Sequence, residues 1–94
     1  MAGNQQYQTQ YEKLEALKIN LYQFMETVQN GFKRYDAQLH SLKEQGLPIE
    51  DYEKIMSEFQ PQFQNIVYKN DEVVIRAVEF VSRQQNMLTQ LLSR

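Results

Sequence analysis

Asp36, His40 and Glu44, spaced four residues apart, are the first side chains in this chain that could do chemistry. Residues four apart share one face of a helix, so the three would stand as an acid–histidine–acid ladder. Such a ladder can hold a divalent cation when a second chain completes the ligand set. Zinc sites carry more ligands or a tighter pattern, and no metal is expected here. A second acidic group, Glu50, Asp51 and Glu53, follows Pro48. Carboxylates are ordinary in a first helical turn, where they meet the positive end of the helix dipole. Nothing around them points to burial or to the perturbed acidity that general acid–base work needs.

No cysteine is present, which removes disulfides and thiolate metal sites. The chain contains no phosphate-binding glycine loop, dinucleotide fingerprint, HExxH pair, EF-hand loop or nucleophile elbow. The expectation is a non-enzymatic protein with no catalytic, cofactor-binding or metal-ligating residues. A net charge of −2, with Lys33-Arg34 the one adjacent basic pair, gives no electrostatic footprint for nucleic acid. The longest apolar run, Val73-Val74-Ile75, is far too short for membrane insertion. The opening Met-Ala-Gly-Asn-Gln-Gln is polar, unlike a secretory leader, and the expected location is the cytoplasm.

Stepping outward from single residues, two stripes of apolar positions organise the chain. The first runs Tyr7, Tyr11, Leu14, Lys18, Leu21, Met25, Val28, Phe32, Tyr35, Leu39 and Leu42, alternating spacings of four and three. This is the seam of a coiled-coil-like helix. Gln45-Gly46 supplies its stop signal, with Pro48 just beyond. The second stripe runs Tyr52, Met56, Phe59, Phe63, Ile66, Asn70, Val73, Ala77, Phe80, Gln84, Met87 and Leu91. Two long helices joined by a few residues must lie antiparallel. The predicted fold is therefore all-α, a long antiparallel helical hairpin in one domain. It has a polar, frayed segment at 1–5, helix A at 6–45, a turn at 46–49 and helix B at 50–93. Folding at residue 47 would pair Leu42 with Tyr52, Tyr35 with Phe59, Val28 with Ile66, Leu21 with Val73, Leu14 with Phe80 and Lys18 with Ala77.

Gly31 and Pro61 fall at nearly the same height in that register, and Pro61 is expected to kink helix B. If either ended a helix, or if Asn70-Asp71-Glu72 capped a new one, the result would be a three- or four-helix bundle. Asn70 and Gln84 are candidate register-setting polar residues in the seam. The acid-before-base pairs Glu50/Lys54, Glu72/Arg76 and Glu79/Arg83 have the spacing of helix-surface ion pairs.

Helix B also carries a second apolar stripe, Val67, Val74, Val78, Val81, Leu88 and Leu92, and helix A a smaller set, Leu17 and Phe24. One hairpin seam cannot cover both stripes, so these eight residues are the predicted partner interface. Tyr22 and Tyr68, off the seam, are further contact candidates. The implied partner is a protein or a second copy, giving a dimer or hetero-oligomer, and the implied role is an adaptor, assembly factor or chaperone. In size and two-helix plan the chain resembles the WXG family of secreted hairpins, which pair into four-helix bundles. The resemblance implies a secreted or secretion-associated hairpin, or its chaperone. The turn here, Glu44-Gln45-Gly46-Leu47-Pro48, lacks that family's Trp-x-Gly, and Tyr68-Lys69-Asn70-Asp71 departs from its tyrosine motif.

Overall fold

A computed structural model describes residues 2–93. The protein is an all-α helical hairpin, with no strand among the described residues. Helix α1 spans Ala2–Glu44, α2 spans Ile49–Lys54 and α3 spans Gln60–Leu92, with a π-helical turn at Ile55–Phe59 between the last two. The predicted frayed segment at 1–5 is helical from Ala2 on. Its run of glutamines adds good helix formers to the first turns. Gly31 does not interrupt α1, and Asn70-Asp71-Glu72 lies inside α3. The bundle alternative is therefore not realised.

The end of α1 follows from Gly46, whose φ of 104° only glycine adopts easily. Leu47 N–H donates to Leu42 C=O at 2.9 Å and Gly46 N–H to Lys43 C=O at 3.3 Å. This pair of bonds is the Schellman closure of a helix C-terminus. Pro48, extended at φ −54° and ψ 137°, starts α2, and its carbonyl accepts from Tyr52 N–H at 3.1 Å.

The proline in helix B acts differently from a simple kink. Pro61 has no N–H for the carbonyl of Ser57, and its ring crowds that carbonyl. The chain widens the preceding turn instead, and Gln60 N–H reaches back five residues to Ile55 C=O. A turn that takes in one extra residue rotates everything after it by about 100°, one residue's share of a 3.6-residue turn. The inward positions run Tyr52, Met56, Gln60, then Val67, Asp71, Val74, Val78, Val81, Gln85, Leu88 and Leu92. Beyond the π turn, each is one residue later than the predicted seam.

The consequence is an exchange of roles between two stripes. Val74, Val78, Val81 and Leu88 are buried against α1, whereas Phe63, Ile66, Val73, Phe80 and Met87 are exposed. The α1 seam lies as predicted, half-buried from Tyr7 to Tyr35 and closed at Leu39, except that Leu42 is exposed. The predicted cross-pairs shift as well, by more than one residue. Tyr35 packs edge-on against Phe63, ring centroids 5.0 Å apart, not against Phe59. Lys18 Nζ reaches Ser82 Oγ at 3.5 Å, not the neighbourhood of Ala77.

The structure forms two compact units, each described by itself. The turn unit is Met25–Asp71, and the terminal unit joins the residues up to Phe24 with those from Glu72 onward.

Candidate protein-interaction site

Beside the α1 seam run two flanks. Glu15, Tyr22, Gln29, Asp36 and Lys43 follow the seam residues on one side; Gln10, Leu17, Phe24, Gly31 and Gln38 precede them on the other. The structure treats the two flanks in opposite ways.

The first flank is latched by hydrogen bonds between glutamine amides and carboxylates. In the terminal unit, Gln85 Nε2 donates to Glu15 Oε2 at 2.8 Å and to the Tyr11 carbonyl at 3.4 Å. Lys18 Nζ stands 3.4 Å from the same Glu15 oxygen. The Gln85 bond, then Lys18, holds the Glu15 carboxyl below its ordinary range, outweighing the small opposing effect of burial. In the turn unit, Gln29 Nε2 donates to both Asp71 oxygens at 3.2 Å, and Gln60 Nε2 to Asp36 Oδ1 at 3.0 Å. Gln60 and Gln85 are the buried polar residues among those described. Gln85, one residue after the candidate Gln84, is the buried one of the two. Asn70 is half-buried with its Nδ2 unpartnered.

The second flank is open and apolar. In the turn unit, Val28, Gly31, Phe32 and Tyr35 on α1 face Phe63, Ile66 and Val67 across a groove of about 230 Å³. A Cβ at Gly31 would meet nothing within 4 Å. Here the glycine is part of the gap and not a site of close helix approach. The Tyr35 hydroxyl is buried without a hydrogen-bond partner, and this desolvation pushes its acidity range upward. In the terminal unit, a second groove of about 460 Å³ is lined by Gln10, Lys13, Leu14 and Leu17 with Gln84, Met87, Leu88 and Leu91. Phe80, 56% exposed, and Met87, 58% exposed, continue its α3 side.

Of the eight predicted interface residues, Val74, Val78, Val81 and Leu88 are buried within the hairpin itself. Of these, only Leu88 reaches an open groove. Val67 and Leu92 are half-buried, while Leu17 and Phe24 are exposed. Tyr22 and Tyr68 are exposed too. The apolar surface that the sequence demanded is present, but it comes from Phe63, Ile66, Val73, Phe80 and Met87, the stripe predicted to be the seam. Sequence could have shown this only through Pro61 and the two adjacent stripes, either of which can serve as seam.

The metal ladder is not assembled. His40 Nδ1 lies 2.7 Å from the Asp36 carbonyl oxygen, and the Tyr52 hydroxyl lies 3.5 Å from Nε2. With Asp36 accepting from Gln60, no group of three metal-ligating side chains occurs among the described residues. The helix-surface pairs Glu50/Lys54, Glu72/Arg76 and Glu79/Arg83 close no ion pair among the described residues. Arg83 instead lies over the Phe80 ring, 5.9 Å from its centroid. No helix is long and apolar enough to cross a membrane among the described residues. Compared with family models, with curated proteins and with solved structures, the chain matches none.

Proposed function

We propose that this protein is a non-enzymatic helical interaction subunit, an adaptor, assembly factor or chaperone, that engages another protein through the open apolar edge of its hairpin. One observation carries the reading. The α3 stripe Phe63, Ile66, Val73, Phe80 and Met87 stays exposed after the hairpin has closed its own seam. Isolated apolar side chains on a surface mean little. Within each unit, however, these border a groove, Phe63 and Ile66 in the turn unit and Phe80 and Met87 in the terminal unit, and a set of that kind marks an interaction surface. The groove form suits an amphipathic helix laid along it, with anchors at heptad spacing.

Solution mass across a dilution series, measured beside the fluorescence of an apolar dye such as bis-ANS, tests this reading. The expected result is either an oligomer that Phe80→Glu splits or a monomer with saturable dye binding that Phe80→Glu reduces. A monomer that takes up no dye overturns it.

A further inference from the structure

The open edge of the terminal unit carries a charge pattern that selects its occupant. Lys13 lines the groove itself. Arg83 lies over Phe80 at the groove's α3 side. Both cations are exposed. The carboxylates of this unit sit elsewhere: Glu12 and Glu15 on the far side of the α1 seam, Glu72 and Glu79 on the far side of α3. Glu15 is already held by Gln85 and Lys18. Neither Glu72 nor Glu79 forms an ion pair with the arginine one turn ahead of it among the described residues. An apolar floor with a cationic rim and no carboxylate on it is the complement of a helix whose apolar stripe is flanked by acids.

We infer that the terminal-unit groove docks an amphipathic helix of another protein that presents Glu or Asp beside its apolar anchors. The inference rests on the interaction reading above and adds the chemistry of the partner. A second copy of this chain is disfavoured as occupant, because two such edges face to face would set Lys13 and Arg83 against like charge. An anionic lipid surface matches the rim but not the groove, whose concave floor between two helices receives inserted side chains.

The test uses the full chain and two labelled peptides of about three heptads with leucine at the anchor positions. One carries glutamate and the other lysine at the flanking positions. Fluorescence anisotropy should show saturable binding of the glutamate peptide, with the lysine peptide weaker by about tenfold or more. Phe80→Glu should abolish binding while circular dichroism shows the fold intact, since that side chain is exposed. The double variant Lys13→Glu, Arg83→Glu should reverse the preference. Equal binding of the two peptides, or a preference the double variant leaves unmoved, overturns the charge selection while the interaction reading stands. Binding of neither peptide by a protein that is a dimer, split by Phe80→Glu, makes a second copy the occupant and overturns the inference alone. Cosedimentation with phosphatidylserine–phosphatidylcholine vesicles without peptide binding overturns it in favour of a lipid surface. A monomer that binds neither peptides, vesicles nor apolar dye overturns both.

Discussion

Glutamine takes in this hairpin the place that lysine or arginine takes in many helix pairs. Gln85, Gln29 and Gln60 each present an amide donor to a carboxylate on the other helix. A hydrogen bond to a charged acceptor is worth more than one between neutral groups, and it leaves one negative charge in place instead of cancelling it. The acidity of Glu15 records this. Its carboxyl is held below the ordinary value of 4.5, first by Gln85 and then by Lys18. A carboxyl whose folded-state value is depressed stabilises the fold above the unfolded value and loses that contribution as pH falls through the folded one. The thermal midpoint of the wild type should therefore fall toward that of Glu15→Gln as pH drops from 7 to below 4.5. A gap between the two proteins that stays constant over that range would exclude the linkage. Glutamine's use as a latch was not visible in composition, because its partners are fixed by a register that composition does not contain.

At the scale of elements, the π turn decides which face of helix B meets α1. The predicted seam alternates four and three, the second stripe does so once Asp71 and Gln85 are counted in, and both are long enough to serve as seam. Pro61 is legible in the sequence, as are the stop at Gly46 and the start at Pro48. The response to the proline was not legible, because a kink and a widened turn relieve the same clash. The one-residue rotation explains the wrong stripe, whereas the contacts of Tyr35 and Lys18 lie four and five residues further along helix B than predicted. Val78→Asp should destabilise the hairpin strongly, by about 3 kcal/mol or more, since it buries a carboxylate without a partner. Phe80→Asp should stay within about 0.5 kcal/mol, as surface changes do. Urea titration followed by circular dichroism separates the two, and the opposite order would restore the predicted seam. Deleting Ser57 together with Pro61→Ala should return the turn to ordinary α geometry and keep the valine stripe inward. The melting temperature should then change by only a few degrees, the shift that about 1 kcal/mol produces in a domain of this size. Deleting Asn65 instead should rotate Val74, Val78, Val81 and Leu88 out of the seam, at about 1.5–3 kcal/mol each. That change should prevent cooperative folding, and two deletion variants of equal stability would rule out the rotation.

For the molecule as a whole, the sequence contained the amount of surplus apolar surface but not its address. Leu17 and Phe24 are exposed, because helix A has no feature that shifts its phase. The α3 residues were assigned to the wrong face for the single reason given above. The grooves themselves depend on which side chains stand opposite each other, and this no heptad count supplies. One further consequence lies in the contrast between the latched and open edges. The latches are short-range bonds from neutral amides, and mobile ions screen such contacts little. The cationic rim of Lys13 and Arg83 is exposed and acts through a Coulomb field that ions at about 0.15 M confine to roughly 8 Å. Raising ionic strength should therefore release a charge-selected partner long before it opens the hairpin. Sodium chloride would act on this protein as an eluent and not as a denaturant, and a partner helix held in low-salt buffer should leave a folded, reusable hairpin behind when the salt is raised. Circular dichroism recorded on the eluted protein checks this, and loss of helicity at the salt concentration that releases the partner would show that the two edges are not independent.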